Sequence, residues 1–172
     1  LSEVPFDLMY GGTVFYPVHQ NVIWTLLLGL LGIRLMEAAR AKGKRWLYVL
    51  TCAAVVVLGF ALGTLGMVDY YGAGVLTVFA FYFFRERKWW CLLGQLAALY
   101  WLNVVVLGGQ MYPVTLFGRE IELCEQGLAL LALVPIWLYR GRQGHHSKAF
   151  QYACYAFYPA HMLVLALLTM IQ

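Results

Sequence analysis

The chain contains, at residues 47–66, the run LYVLTCAAVVVLGFALGTLG, which carries no charged side chain. A helix of about 20 apolar residues crosses the hydrocarbon core of a bilayer, because each residue advances the helix by about 1.5 Å. A backbone that faces lipid must satisfy its own hydrogen bonds, and a helix does so within one segment. Since the run is continuously apolar and does not alternate, it predicts a transmembrane helix and not a strand of a β-barrel.

The composition extends this prediction to the whole chain. Hydrophobic residues make up 63% of the 172 residues and charged residues 12%, whereas a soluble domain has about 25% charged residues. The charges cluster between long apolar runs. We therefore predict an all-α fold, a polytopic transmembrane helical bundle of about six spans, forming one transmembrane domain over residues 1–172. The predicted spans cover residues 22–39, 46–66, 70–84, 89–107, 123–139 and 149–171, with a helix end and a loop before the first and a long loop at 108–122.

The basic residues orient the predicted spans. Eleven of the twelve Lys and Arg fall beside spans one, three and five, counting Arg34 with the first, and only Arg119 lies in the alternate loops. Such an excess marks the cytoplasmic side. The pattern predicts a multi-pass protein with cytoplasmic basic loops and both chain ends outside. Because the basic residues lie in short loops beside apolar segments, the net charge of +4 does not indicate nucleic-acid binding. An odd number of upstream crossings would restore a cytoplasmic N-terminus, and we expect the chain to be the C-terminal part of a longer protein.

A histidine lies near the middle of the sixth predicted span. His161 falls roughly 18 Å beyond the basic edge at about 1.5 Å per residue, and an ionisable residue at that depth is a functional candidate. Tyr158 lies three positions earlier on the same helix face. Since histidine titrates near neutral pH, His161 is a candidate general base that Tyr158 would orient. The alternative is a neutral histidine bonded to a neighbouring helix, next to a kink at Pro159.

A second group of polar residues is expected at the outer ends of the predicted spans. Asp7 and His19 precede the first span, Asn21 stands at its start, and Asp69 precedes the third. Together they could line one side of a functional site. The local alternative is helix capping, by Asn21 for the first span and by Asp69 for the third.

The other polar and small residues of the spans predict packing. Gln95 and Asn103 in the fourth span are expected to hydrogen-bond to neighbouring helices, and Gly59 with Gly63 forms a GxxxG pair that allows close helix approach. The four cysteines have no CxxC spacing, so neither a disulfide framework nor a metal site is predicted.

Four stretches of the chain, in this order, resemble the TraX family of bacterial membrane proteins, named for the conjugation protein that acetylates pilin. They are SEVPFD at residues 2–7, HQNV at 19–22 leading into TLLLGL at 25–30, DYYGAGVL at 69–76, and FYPAH at 157–161. The resemblance covers nearly the whole chain. The family begins with further helices that carry an Asp–His pair and an Arg followed by a Phe-Pro stretch, and this chain lacks them, in agreement with the expected upstream crossings.

The resemblance implies an integral membrane acetyltransferase of the bacterial inner membrane that moves an acetyl group from acetyl-CoA to an amine, such as the N-terminus of a pilin-like protein. In such an enzyme the catalytic residues would be His161 and Tyr158. The acceptor would be bound by His19, Asn21, Asp7 and Asp69, and the phosphates of the donor would be bound by Arg45, Arg85 and Arg140.

Three alternatives remain open from the sequence. Other multi-span acyltransferases with a buried histidine modify sugars, so the acceptor could be a cell-surface sugar. A non-catalytic assembly or scaffold protein would account for the packing glycines equally well. A small-molecule transporter is less supported, because the halves show no inverted repeat and the spans contain few paired charges.

Overall fold

The computed structural model describes residues 2–116, 118–139, 141, 144 and 147–171. A π-helical segment, Trp101–Leu107, continues the fifth α-helix, and a 3-10 segment, Glu125–Ala132, leads into the sixth. Between them, strands β1 (Met111–Leu116) and β2 (Arg119–Cys124) form an antiparallel hairpin. The α-helices are α1 (Glu3–Gly11), α2 (Val22–Ala41), α3 (Arg45–Leu65), α4 (Tyr71–Phe83), α5 (Trp89–Tyr100), α6 (Leu133–Leu138) and α7 (Lys148–Ile171).

Four helical segments are long and apolar enough to cross a bilayer, and they coincide with the predicted first, second, fourth and sixth spans. The predicted third and fifth spans correspond to shorter apolar helices, Tyr71–Phe83 and Glu125–Leu138. The predicted class, an all-α bundle of membrane helices, is thereby confirmed. The four long segments are Val22–Ala41, Arg45–Leu65, Trp89–Leu107 and Lys148–Leu168.

Helices α2, α3 and α4 pack around a small apolar core. Met36 of α2 and Val55 of α3 are buried against Val75 and Phe79 of α4. Close approach depends on glycine, since a Cβ atom at Gly59 would lie only 2.7 Å from the Phe79 ring. The packing role predicted for the GxxxG pair is therefore confirmed at this position.

Gln95 joins three helices through its side-chain amide. Its Nε2 donates to the carbonyl of Phe84 at the end of α4, and its Oε1 accepts from Nε1 of Trp137 in α6, both at 2.8 Å. The predicted helix-to-helix role of Gln95 is confirmed. Asn103 differs, because its Nδ2 donates to the carbonyl of Leu99 in its own helical segment at 2.9 Å.

The Gln95 bridge can be tested by substitution. Gln95→Leu is expected to lower the free energy of unfolding by about 1–3 kcal/mol, because the Phe84 carbonyl and the Trp137 indole lose their partner in apolar surroundings. The measurement is thermal unfolding in detergent. In a Trp137→Phe background the same change should cost less, since one of the two bonds is already gone. Equal costs in both backgrounds would show that the indole bond is unimportant.

The loop predicted at residues 108–122 contains most of the hairpin. The strands pair in register from Met111 opposite Cys124 to Leu116 opposite Arg119. The sequence did not predict strands within this connection. Because β2 continues to Cys124, the helical structure that follows begins at Glu125 and not at residue 123.

Candidate acid–base site

The two ends of the bundle carry different side chains. One end holds the start of α2, the turn between α3 and α4, and the β1–β2 hairpin, and we call it the hairpin end. The other, the arginine end, holds Arg40 and Arg85 near the ends of α2 and α4. Asp7, His19, Asn21 and Asp69, which were predicted to form one group, are at the hairpin end.

Backbone pairing brings the segment before α2 against the turn between α3 and α4. The Gln20 amide donates to the carbonyl of Met67 at 2.9 Å, and the Asp69 amide donates to the carbonyl of Gln20 at 2.8 Å. The Thr25 hydroxyl adds a bond to the carbonyl of Asp69 at 2.7 Å. These three bonds fix His19 and Asp69 side by side, although they are far apart in the sequence.

The turn that carries Asp69 has a strained backbone. Met67, Tyr70 and Tyr71 have φ of 48°, 61° and 50°, in the left-handed region that non-glycine residues enter at a cost of about 1 kcal/mol or more. Strain of this kind collects at functional sites. The residue at the N-cap of α4 is Tyr70, with no side-chain capping bond. The alternative prediction that Asp69 caps this helix is therefore wrong.

The side chain of Asp69 faces an imidazole. His19 Nε2 lies 3.7 Å from Asp69 Oδ1, and the two side chains are only 18% and 19% exposed. Burial raises the pKa of Asp69 above its usual range, while His19 and the Tyr70 amide act in the opposite direction. A carboxyl group and an imidazole that face each other are residue types that serve as general acids and bases. The pair is therefore a candidate acid–base site.

Three aromatic rings surround His19. Phe6 is stacked on the imidazole with centroids 5.5 Å apart, Tyr10 meets it edge-on at 5.2 Å, and Tyr71 lies at 5.9 Å. Burial, followed by the nearby Asp69 charge, raises the pKa of Tyr10. The rings fix the imidazole plane and reduce its contact with water. None of the three was predicted from the sequence, although the spacing of Phe6 and Tyr10 by four positions was an available signal.

Asn21 and Asp7 support the walls of the site. Asn21 caps α2, because its Oδ1 accepts from the Ile23 amide at 2.8 Å while its Nδ2 donates to Ser2 Oγ at 3.1 Å. The capping alternative is confirmed for Asn21. Asp7 is 2% exposed; its Oδ2 accepts from the Tyr16 amide at 3.1 Å, and its Oδ1 has no hydrogen-bond partner among the described residues. Acceptor binding by Asp7 and Asn21 stays a prediction.

Helix α7 packs against α1 and brings Tyr158 to the site. The Tyr158 hydroxyl lies near enough to the Val22 amide to interact with it, and it lies within electrostatic range of Asp69. One of the two predicted catalytic residues therefore approaches the pair. Since Val22 is the first residue of α2, the tyrosine also faces the start of that helix.

His161, the other predicted catalytic residue, interacts within its own helix. Its Nδ1 lies 3.1 Å from the carbonyl oxygen of Phe157, and its ring lies 5.2 Å from the Phe157 ring and 5.4 Å from the Tyr158 ring. In the described part of the chain, its hydrogen-bond and ring partners all belong to α7. A catalytic role for His161 stays a prediction.

At the arginine end, several groups converge on one carboxylate. Glu37 Oε1 accepts from the Tyr82 hydroxyl at 2.7 Å and from Arg85 Nη1 at 3.2 Å, and Arg40 Nη1 lies 3.7 Å from it. The bond to Glu37 raises the pKa of Arg85, so this guanidinium stays charged. A cavity of about 200 Å³, lined in part by Arg40, Tyr82 and Arg85, adjoins the cluster.

The other two predicted donor-binding arginines are not part of this cluster. Arg45 is exposed at the first position of α3. Arg140 lies outside the described residues. Arg85 lines the cavity at the arginine end.

These features define a polytopic α-helical membrane protein with a histidine–carboxylate pair at one end and an arginine-lined cavity at the other. The chain belongs to the TraX family, since residues 1–169 match the family model described as TraX protein. The resemblance carried by the four short stretches is thereby confirmed over essentially the whole chain. No curated protein and no solved structure matches it.

Proposed function

We propose that this TraX-family membrane protein transfers an acetyl group from acetyl-CoA to a primary amine, such as the N-terminus of a pilin-like protein. The observation that supports this most is the His19–Asp69 pair, 3.7 Å apart, in an aromatic enclosure on a strained turn. A primary amine is protonated near neutral pH and must lose a proton before it can attack a carbonyl. A proton acceptor on the acceptor side is therefore what the reaction needs.

In the proposed reaction, His19 first takes a proton from the ammonium group, and Asp69 stabilises the imidazolium that results. The neutral amine nitrogen then attacks the thioester carbonyl carbon. The new C–N bond forms, the C–S bond breaks, and the departing thiolate takes up the second proton of the nitrogen, which gives an acetamide and the free thiol of CoA. The Tyr158 hydroxyl would donate to the carbonyl oxygen, on which negative charge develops.

The donor is assigned to the arginine end. Guanidinium groups bind phosphates through paired, charge-assisted hydrogen bonds, and Arg40 and Arg85 both line the cavity there. We propose that this end faces the cytoplasm of a bacterial cell, as the distribution of Lys and Arg predicts. Helix α4 has 13 residues, or about 20 Å at the usual rise. The donor must therefore reach along the bundle to bring its acetyl group to His19.

Donor binding at Arg85 predicts a change in KM. Arg85→Gln is expected to raise the KM for acetyl-CoA about five- to tenfold, because a charged hydrogen bond to phosphate is lost, with little change in kcat. Arg87→Gln, which removes an exposed charge two positions away, should leave KM nearly unchanged. An equal rise in both variants would show that only the general positive charge of this end matters.

The proposed activity is tested with purified protein reconstituted in bilayers, labelled acetyl-CoA and a pilin-like peptide, supplied with either a free or a blocked N-terminus. Label is expected on the free amine only. Label on a supplied sugar and not on the peptide would make the protein a sugar acyltransferase. A folded protein that neither binds the donor nor transfers label would contradict the proposal and favour a non-catalytic assembly role.

A further inference from the structure

A long groove of about 310 Å³ runs through the bundle from the hairpin end toward the arginine end. One wall begins at Tyr70 and follows α4 through Gly74 and Thr77 to Phe81. These positions recur at steps of three and four residues, which places them on one face of the helix. The opposite wall comes from the π-helical segment, the 3-10 segment and α6.

The dimensions of the groove fit one alkyl chain. Eleven residues separate Tyr70 from Phe81, so the wall is about 16 Å long at the usual helical rise. Dividing 310 Å³ by this length gives a path roughly 5 Å wide for the centre of a water-sized sphere, or about 8 Å between the walls once its radius of about 1.4 Å is added on each side. An α-helix with its side chains is about 10 Å wide, so the groove admits an alkyl chain but not a helix.

The groove is lined by apolar side chains in its deep part, toward the arginine end, and by polar side chains at the hairpin end. Phe81, Leu99 and Ile136 surround the deep part, and Tyr70 and Gln126 stand at the mouth. The side chain of Gln126 makes no hydrogen bond within the described part of the chain. The groove therefore suits a molecule with one apolar chain and a polar head.

The mouth adjoins the His19–Asp69 pair and is acidic. Thr25 lines the groove and bonds the carbonyl of Asp69 at 2.7 Å, and the charges of Asp69 and Glu125 both act on Tyr70. The described residues that line the groove carry no charge of either sign, so Asp69 and Glu125 are the charges that act at its mouth. Charge complementarity with these two carboxyl groups favours a cationic head over a phosphate or a carboxylate.

We propose that this groove binds the alkyl chain of a membrane-embedded primary amine and holds the amine head at the His19–Asp69 pair. The role of this amine as acetyl acceptor rests on the proposed function, whereas binding of the chain does not. The substrate class is then a long-chain amine that enters from the lipid phase.

Photolabelling tests the groove without any acetyl donor. The probe is a dodecylamine that carries a diazirine near the end of its chain, added to the protein in lipid nanodiscs. Cross-links are expected on the deep lining, at Phe81, Leu99 or Ile136. Unlabelled dodecylamine should compete, whereas butylamine lacks the chain and dodecanoate carries the wrong charge, so neither should.

Variants that fill the groove supply the matched controls. Ala132→Phe places a ring in the groove and is expected to reduce labelling about tenfold, because at least two methylene positions are lost. Leu131→Phe adds an aromatic ring at the neighbouring, outward-facing position and should label as the wild type does. Ala129→Leu is a milder second filling variant if Ala132→Phe does not fold.

Several outcomes would overturn the inference. Undiminished labelling of folded Ala132→Phe or Ala129→Leu would show that the probe lies elsewhere, and equal competition by dodecanoate would rule out the cationic head. Displacement by acetyl-CoA, or by a pilin-like peptide with a blocked N-terminus, as strong as that by dodecylamine would assign the groove to the donor or to a peptide. Because no donor is present during labelling, a failure of acetyl transfer leaves this result unchanged.

Discussion

Replacing His19 by Ala is expected to lower the rate of acetyl transfer by about two to four orders of magnitude, the usual range for a general base, while the protein stays folded. His19 is the only histidine that the structure pairs with a carboxylate within the described residues. The measurement is label transfer at saturating donor, with thermal unfolding as the control for folding.

His161→Ala is the matched comparison, because the hydrogen-bond and ring partners of its imidazole among the described residues all belong to α7. If His161 is the base, as the sequence predicts, then transfer is lost in His161→Ala and retained in His19→Ala. That result would make the His19–Asp69 pair structural. Loss in His19→Ala alone would make His161 structural.

Asp69→Asn removes the negative charge of the His19–Asp69 pair while it keeps nearly the same side-chain shape. Burial raises the pKa of Asp69, so its carboxylate form is lost as pH falls through a value above the usual Asp range of about 3.9. The wild-type rate should decline on the acid side of that pKa, and the variant should be slow at every pH. Above the raised pKa the buried charge reduces folding stability. The variant should therefore unfold at the same or a higher temperature at neutral pH, and a clear loss of stability would contradict this account.

Gly72→Ala is expected to lower the free energy of unfolding by about 3 kcal/mol, the upper range for overpacking. A Cβ atom there would lie 2.4 Å from the carbonyl oxygen of Phe60 and 2.7 Å from Thr64 Oγ1. Because the nearest atom belongs to the backbone of α3, the two helices must separate. Transfer activity should fall as well, since the strained turn directly precedes this residue.

Gly127→Ala is the control for this substitution. The added Cβ atom would meet nothing closer than 3.6 Å, and alanine suits helical backbone better than glycine does. Its stability should equal or exceed that of the wild type. Equal stability of the two variants would contradict the close α3–α4 contact at Gly72.

The helices were predictable because their signal is local. An uncharged apolar run identifies a span without reference to any other part of the chain, and helix bounds such as those of α2 agree with the sequence within a few residues. The hairpin was missed because Pro113 and the glycines around it suggested a loop. The alternation of polar and apolar residues at 119–124, REIELC, was the available signal for a strand.

The candidate site was predictable only in part. Asp7, His19, Asn21 and Asp69 were grouped because they were expected on the same side of the membrane. The contact between His19 and Asp69 depends on backbone pairing between two irregular segments, at Gln20 and Val68, and no side-chain pattern encodes such pairing. For the same reason, the approach of Tyr158 to this pair could not be read from α7 alone.

The strained turn has a consequence for the order in which a new chain matures. The left-handed conformations of Met67, Tyr70 and Tyr71 are unfavourable by about 1 kcal/mol or more each, and the bonds from residues 20 and 25 hold them in place. Since α2 precedes α3 and α4 in the chain, we expect the connection between α3 and α4 to enter the membrane relaxed and to tighten only when it docks against the start of α2. Until it docks, His19 has no carboxylate beside it, so a partly assembled chain would lack the proposed transfer activity.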